Sequence, residues 1–321
     1  MTGLIGPWRY SILLTASLLA IGTVSCRRSR AASSAGVAVR ATVRPATVAA
    51  GSPFAVEYSW SLEAGGAAPP EGFSAFVHFV YPGGAIAFTD DHVPEPPPST
   101  WRPGETHRYT RTLFAPADAF ADKLQVRVGL FHPERGRLVL AGADVGLQEY
   151  VAAQVELARA DSRRRLRYGS GWYAPEAPPG DPFGNRRWIQ PEAWLAFRNH
   201  QQDVIALVRA ETNYAAFARP PVLTLAVGSV AAAVPIAGSA PFTAAVRFPA
   251  MALGKDRWAE LKLAMSGSFV PSAIGMNPDQ RELGLWVHHI FVGPASEIAP
   301  LLSSAPISAA LASGPSGGPA H

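Results

Sequence analysis

Phe54-Ala55-Val56-Glu57-Tyr58-Ser59-Trp60-Ser61-Leu62 alternates large apolar side chains with small or polar ones. Successive side chains of a strand point to opposite faces, so a period of two builds one apolar face and one wetter face. Gly51-Ser52-Pro53 before it and Gly65-Gly66 after it are turn residues, free to take positive φ or locked at the φ a turn needs. The same pattern extends outward. Val37, Val39, Ala41 and Val43 alternate upstream. Downstream, 73–81 runs to the turn Pro82-Gly83-Gly84, and 85–88 is a short strand. Residues 106–114 follow Arg102-Pro103-Gly104, and Leu124, Val126, Val128 and Leu130 alternate again. Residues 137–140 and about 148–157 complete eight predicted strands. Pro94, Pro96, Pro97 and Pro98 lack the N–H that a central strand donates, so 94–98 reads as a loop.

Composition agrees with an all-β chain. Of 321 residues 48% are hydrophobic, enough for real cores, and 30 Pro with 29 Gly break the chain into short elements. Charged residues make up only 16% and the net charge is +4, carried almost wholly by Arg, since Lys occurs only at 123, 255 and 262. The tight basic group Arg163, Arg164, Arg165 and Arg167 lies between the two predicted blocks and reads as a solvated linker. A nucleic-acid binder needs a basic stripe with polar or aromatic readers, so no nucleic-acid partner is expected. One cysteine, Cys26, excludes an inter-sheet disulfide and any thiolate zinc site.

The first residues carry a separate message. Arg9 precedes an apolar run from Ser11 to Val24, too short for an ordinary membrane span and of signal-peptide length. Thr23-Val24-Ser25-Cys26 resembles a lipobox, the bacterial motif at which a leader is cut before a lipidated cysteine; Thr23 stands where Leu is usual. The resemblance implies a signal peptide over 1–25, an acyl group on Cys26, a tether over 26–36 and membrane lipid as a partner. Arg27, Arg28 and Arg30 oppose translocation, so a plain signal peptide or an uncleaved anchor remains open. The expected location is the bacterial envelope on the periplasmic side. The absence of Asp after Cys26 leans toward the outer membrane.

The order FVHFVYPGG, WRPGETHRYTRTLFAP, VRVGLFHPERGRLVL is similar to immunoglobulin-like modules of bacterial envelope and membrane glycosyltransferase-type proteins. The order GWYAPE, RWIQPEAWLAF, SFVPSAIG, DQRELGLWV resembles a β-sandwich module of bacterial polysaccharide-related proteins, similar to jelly-roll carbohydrate-binding modules. The expectation is therefore two β-sandwiches, immunoglobulin-like over 37–158 and jelly-roll-like over 169–293. A linker spans 159–168 and a low-complexity tail 294–321. In the second block 187–188, 194–197, 204–210, 222–227, 244–248, 261–265 and 283–292 read as strands.

Catalytic signals are weak. Asp90-Asp91-His92 is the best mixed oxygen–nitrogen cluster, but in this position it reads as a polar turn. His288-His289 lies in a strand, where neighbours face opposite sides and do not easily share an ion. Glycoside hydrolysis needs two converging carboxylates, and Glu176, Asp181 and Glu192 are the candidates. No nucleophile elbow, phosphate loop or dinucleotide fingerprint occurs. No enzyme, metal or cofactor is expected. The aromatic run Trp172, Tyr173, Phe183, Trp188, Trp194 and Phe197 is the stronger feature, because sugar rings stack on exposed aromatic faces while Arg and carboxylates fix hydroxyls. Buried packing competes for the same rings. The candidate ligand residues are Trp172, Tyr173, Glu176, Arg187 and Trp188, with polysaccharide or an envelope protein as partner. The alternative is an assembly protein that uses both sandwiches as protein-binding surfaces.

Overall fold

Residues 54–62 form the middle strand of a sheet, and every large side chain in the run is buried: Phe54, Val56, Tyr58, Trp60 and Leu62 expose no more than 2%. The computed structural model describes residues 36–177 and 186–302. Its first part holds β1 (Val37–Arg44), β2 (Thr47–Ala49), β3 (Pro53–Leu62), β4 (Ser74–Val80), β5 (Ile86–Thr89), β6 (Thr106–Phe114), β7 (Asp122–His132), β8 (Gly136–Arg137) and β9 (Tyr150–Ala158). One sheet has the order β1-β3-β6, and the facing one β2-β9-β7-β4-β5 with β8 on β7. Their inner faces share one apolar core around Tyr58, Trp60, Phe79, Val126 and Leu130. No disulfide is needed, because aromatic pairs such as Phe79 stacked on Phe88 fill the space between the sheets.

The second part holds β10 (Arg167–Tyr168), β11 (Arg187–Trp188), β12 (Glu192–Arg198), β13 (Val204–Glu211), β14 (Val222–Val227), β15 (Val230–Pro235), β16 (Phe242–Phe248), β17 (Trp258–Met265) and β18 (Trp286–Pro294). The sheets β10-β12-β17-β14-β15 and β11-β18-β13-β16 enclose a second core. The all-β sandwich class read from the sequence is what the chain adopts. β15 escaped that reading because Ala231, Ala232 and Ala233 carry little strand preference. The hairpin turn that makes it needs Gly228, whose φ is +57° and whose added Cβ would sit 2.6 Å from the Ala252 carbonyl oxygen.

β13 joins the two sandwiches. Val204, Ala206, Val208 and Ala210 point into the second core. Ile205 and Leu207, on the opposite face, belong to a third apolar cluster with Ala55 and Phe114 of the first sandwich and Phe291 of β18. A strand buried on both faces reads as a continuous apolar run, as Val204-Ile205-Ala206-Leu207-Val208 does. The chain continues past Gly293 as a helical turn, α1 (Ala295–Ile298), followed by a 3₁₀ turn at Ala299–Leu301. Ala295, Ile298, Leu301 and Leu302 complete the third cluster. Thr112 of the first sandwich donates its hydroxyl to the Leu301 carbonyl at 2.8 Å. The basic segment between the sandwiches is tied down as well: Arg164 pairs with Glu297 and Asp161.

Candidate functional site: a cleft between the sandwiches

The face of β13 that starts apolar ends polar. After Ile205 and Leu207 the same face presents Arg209 and Glu211, and there the sandwiches separate around a cavity of about 700 Å³. Phe88, Phe114 and Asp118 line it from the first sandwich; Tyr168, Trp172, Arg186 and Arg187 line it from the second. This size suits a small ligand or a short segment of a polymer.

A β-bulge supplies the histidines. Arg209 lies opposite His289 and Ala210 opposite Val287, so His288 is the extra residue of β18. The bulge interrupts the alternation of sides, and both His288 and His289 line the cleft, contrary to the opposite-sides expectation. His289 stacks on Phe114 with centroids 5.0 Å apart. The His288 side chain is only 6% exposed, and its Nε2 lies 3.3 Å from Glu211 Oε1. The direction of that approach is wrong for a hydrogen bond, and Nε2 has no partner among the described residues. Burial, then the cations Arg186 and Arg209, push the His288 pKa down to about 3. The ring is therefore neutral at pH 7 and the contact with Glu211 is not an ion pair. Burial in turn raises the Glu211 carboxyl.

Arg209 makes no hydrogen bond or ion pair among the described residues. Burial, then Arg111 and Arg186, hold its pKa below the arginine norm against the pull of Asp90 and Glu211. Arginine nevertheless stays charged in proteins. Three guanidiniums thus converge near one cavity. Arg111 grips Asp90 through two nitrogens at 2.8–3.0 Å, and Arg186 lies 4.0 Å from Glu211 Oε1 and over the Trp286 ring.

Two of the five ligand residues expected from sequence reach this cleft. Trp172 is half-buried and donates its indole N–H to the Trp194 carbonyl at 2.7 Å. Arg187 lies 4.5 Å over the Tyr168 ring. Tyr168 itself, 44% exposed and edge-on to Trp172, is the freest ring of the cleft. Tyr173 and Glu176 are placed elsewhere: Arg281 stacks over Tyr173 and pairs with Glu176 and Asp279. Trp188 packs flat on Trp286 at 5.5 Å and edge-on to Phe269, a packing role. Phe197 is core at 1% exposure, while Trp194 is 37% exposed on the outer sheet face. Cys26, Asp181 and Phe183 lie outside the described residues.

The carboxylates suggested for hydrolysis are held apart by different cations, Glu176 by Arg281 and Glu192 by Lys262. Asp90 is buried and takes bonds from Tyr58 and Arg111, Asp91 caps the Val77 amide, and His92 bridges the Asp90 carbonyl and Tyr109. That cluster is a satisfied polar network inside the first sandwich. No group of three or more potential metal ligands comes together among the described residues.

Sequence reasoning passed over Arg209, Glu211, Arg186 and Tyr168. A signal existed for the first two: Arg209 and Glu211 are charges at the end of an otherwise apolar strand. Tyr168 sat in a segment read as linker.

No protein-family profile matches the chain, and no curated protein matches it. Among solved structures it is similar to a family GH115 4-O-methyl-alpha-glucuronidase, at 10% identity and TM-score 0.29 over 50% of this chain. This chain spans 20% of that protein's length. It is also similar to the tandem CBM22 modules of Xyn10C from Paenibacillus barcinonensis, at 7% identity and TM-score 0.22 over 80% of this chain and 92% of that one. The collagen adhesin of S. aureus gives 10% identity and TM-score 0.17 over 81% and 95%. Likenesses this weak carry no argument; the fold rests on the strand orders and registers above.

Proposed function

We propose that this chain is a non-catalytic binding protein of the bacterial envelope, lipid-anchored through Cys26, that takes a saccharide bearing an anionic group into the cleft between its sandwiches. The observation that carries the reading is the polar lining of the cavity: His288 Nε2 is buried with no hydrogen bond among the described residues, and the half-buried Arg209 beside it makes no hydrogen bond or ion pair among them. A buried polar atom is normally satisfied, so His288 Nε2 calls for a ligand or ordered water. The positive excess favours an anion, Tyr168 offers a ring face, and Glu211 and Asp118 are acceptors for hydroxyls. The anchor rests on the lipobox-like segment and on Cys26 being the only cysteine.

The test is titration of the full-length protein with galacturonate oligosaccharides and with neutral galactose oligosaccharides. Only the acidic series should bind. Tyr168→Ala and Arg187→Ala should each weaken it about tenfold, as loss of a stacking or charged contact does, and leave the melting temperature unchanged. Trp188→Ala should do the reverse, costing about 3 kcal/mol of stability, because its ring is packed between Trp286 and Phe269. Equal binding of the neutral series, or no effect of the two cleft variants, sinks the reading. Fatty-acid labelling lost in Cys26→Ser is the matching expectation for the anchor, and label retained by that variant removes it.

A further inference from the structure

The outer face of the sheet β10-β12-β17 carries a second concentration of cations. The strand registers decide which residues share it. Arg167 pairs with Ala196, Arg198 with Trp258, and Trp194 with Lys262, whereas the alternate residues Leu195, Phe197, Ala259 and Leu261 are core. Arg167, Arg198 and Trp258 therefore face outward together. With Arg165 and Arg257 they line a concavity of about 570 Å³. None of the four arginines Arg165, Arg167, Arg198 and Arg257 makes an ion pair or a side-chain hydrogen bond among the described residues. In the same segment Arg164 is neutralised by Glu297 and Asp161. Four guanidiniums that repel one another across one depression cost stability unless an anion joins them.

The Arg167 guanidinium lies 3.8 Å over the Trp258 ring. This cation–π contact leaves the Arg167 N–H donors without an acceptor among the described residues, available to bind an oxyanion. Further along the face Lys262 covers the Trp194 ring at 5.1 Å and pairs with Glu192. Glu260, exposed between these two tryptophan positions, is a carboxylate on the same face. A polyphosphate backbone or an anionic bilayer would be repelled by Glu192 and Glu260. A saccharide chain with spaced anionic groups would instead offer them hydroxyls.

We infer that Arg165, Arg167, Arg198 and Arg257 form an oxyanion site on the outer sheet face for sulfate or carboxylate groups of an acidic polysaccharide. The site is separate from the cleft: Arg167 and Tyr168 are consecutive in β10 and serve opposite sides of it. Its test does not depend on the cleft reading, because neither Arg198 nor Arg257, the arginines substituted below, lines the cleft.

Full-length protein is titrated at low salt with dextran sulfate, polygalacturonate, neutral dextran, poly(U) and phosphatidylglycerol vesicles. The double variant Arg198→Ala/Arg257→Ala should weaken binding of the acidic polysaccharides by about tenfold or more and flatten its salt dependence. Arg257→Glu, at a fully surface position that leaves folding unaffected, should give a comparable loss if the double variant folds poorly. Tyr168→Ala should leave this loss unchanged. A preference for dextran sulfate assigns sulfate, and one for polygalacturonate assigns carboxylate; either supports the site. Neutral dextran binding as well as the acidic polymers, Arg257→Glu binding as wild type, or tighter binding of poly(U) or vesicles overturns it.

Discussion

His288 owes its properties to its neighbours more than to its own chemistry. A free imidazole titrates near pH 6.5, whereas here burial and the charges of Arg186 and Arg209 bring the pKa to about 3, with His289 adding to the effect and Glu211 the facing carboxyl. Between pH 6.5 and 3 the unfolded chain binds a proton at this site that the folded chain refuses. Stability from His288 is therefore fully present above pH 6.5 and is lost as pH falls toward 3. Glu211, whose folded pKa is raised, works in the opposite sense over the carboxylate range. Replacing His288 by Gln should flatten the acid limb of a melting-temperature profile between pH 6.5 and 3 by up to a few kcal/mol. An unchanged profile would mean that the folded imidazole titrates like a free one. An anion bound beside Arg209 would relieve the positive field on the ring, so the profile should also shift when the acidic oligosaccharide is present.

At the scale of the element, β10 and the loop after it hold the cleft's aromatic wall against the edge of β12. Gly169 donates to the Trp194 carbonyl, Trp194 donates to the Ser170 carbonyl, and Gln190 donates to Gly171. This close approach requires Gly171. Its φ is +81°, and an added Cβ would lie 1.9 Å from the Glu192 carbonyl oxygen and 2.6 Å from the Ala193 Cα. Those are backbone atoms of a paired strand and cannot step aside. Gly171→Ala should cost about 2 kcal/mol or more and displace Trp172 from the wall. A lowered melting temperature together with a changed tryptophan emission spectrum would record both effects, and a wild-type melt would show the contact to be looser than described. The motif Gly171-Trp172-Tyr173 was legible as a landmark. That its glycine serves backbone packing beside the site was not, because Glu192 is far along the chain.

At the scale of the whole molecule, the third apolar cluster couples the sandwiches. Phe114 and Ala55 come from one side, Ile205, Leu207 and Phe291 from the other, and the turn carrying Ile298, Leu301 and Leu302 closes it. A fragment ending at Gly293 lacks those last three side chains and exposes Phe291 and Leu207. Residues 36–302 should unfold in one calorimetric transition, and residues 36–293 in two, or in one at a clearly lower temperature. Identical melts for both fragments would make the cluster a passive contact. The cleft depends on the same coupling, since Phe88, Phe114 and Asp118 reach it from the first sandwich.

Local pattern was enough to determine the all-β class. Alternation from Phe54 to Leu62 has one low-energy solution, a half-buried strand, and Gly and Pro mark where each strand ends. Trp172 and Arg187 could be singled out because aromatic and cationic side chains near turns advertise binding chemistry. The rest belonged to tertiary structure. Whether an aromatic ring is wall or core depends on what stands opposite, and Trp188 met Trp286 while Tyr168, beside Arg187 and Trp172, kept 44% of its surface exposed. A bulge of one residue at His288 reversed which side its neighbours serve. Arg209, Glu211 and the four outer arginines acquired meaning only when strands distant in sequence brought like charges together, since electrostatic energy depends on separation in space and not along the chain.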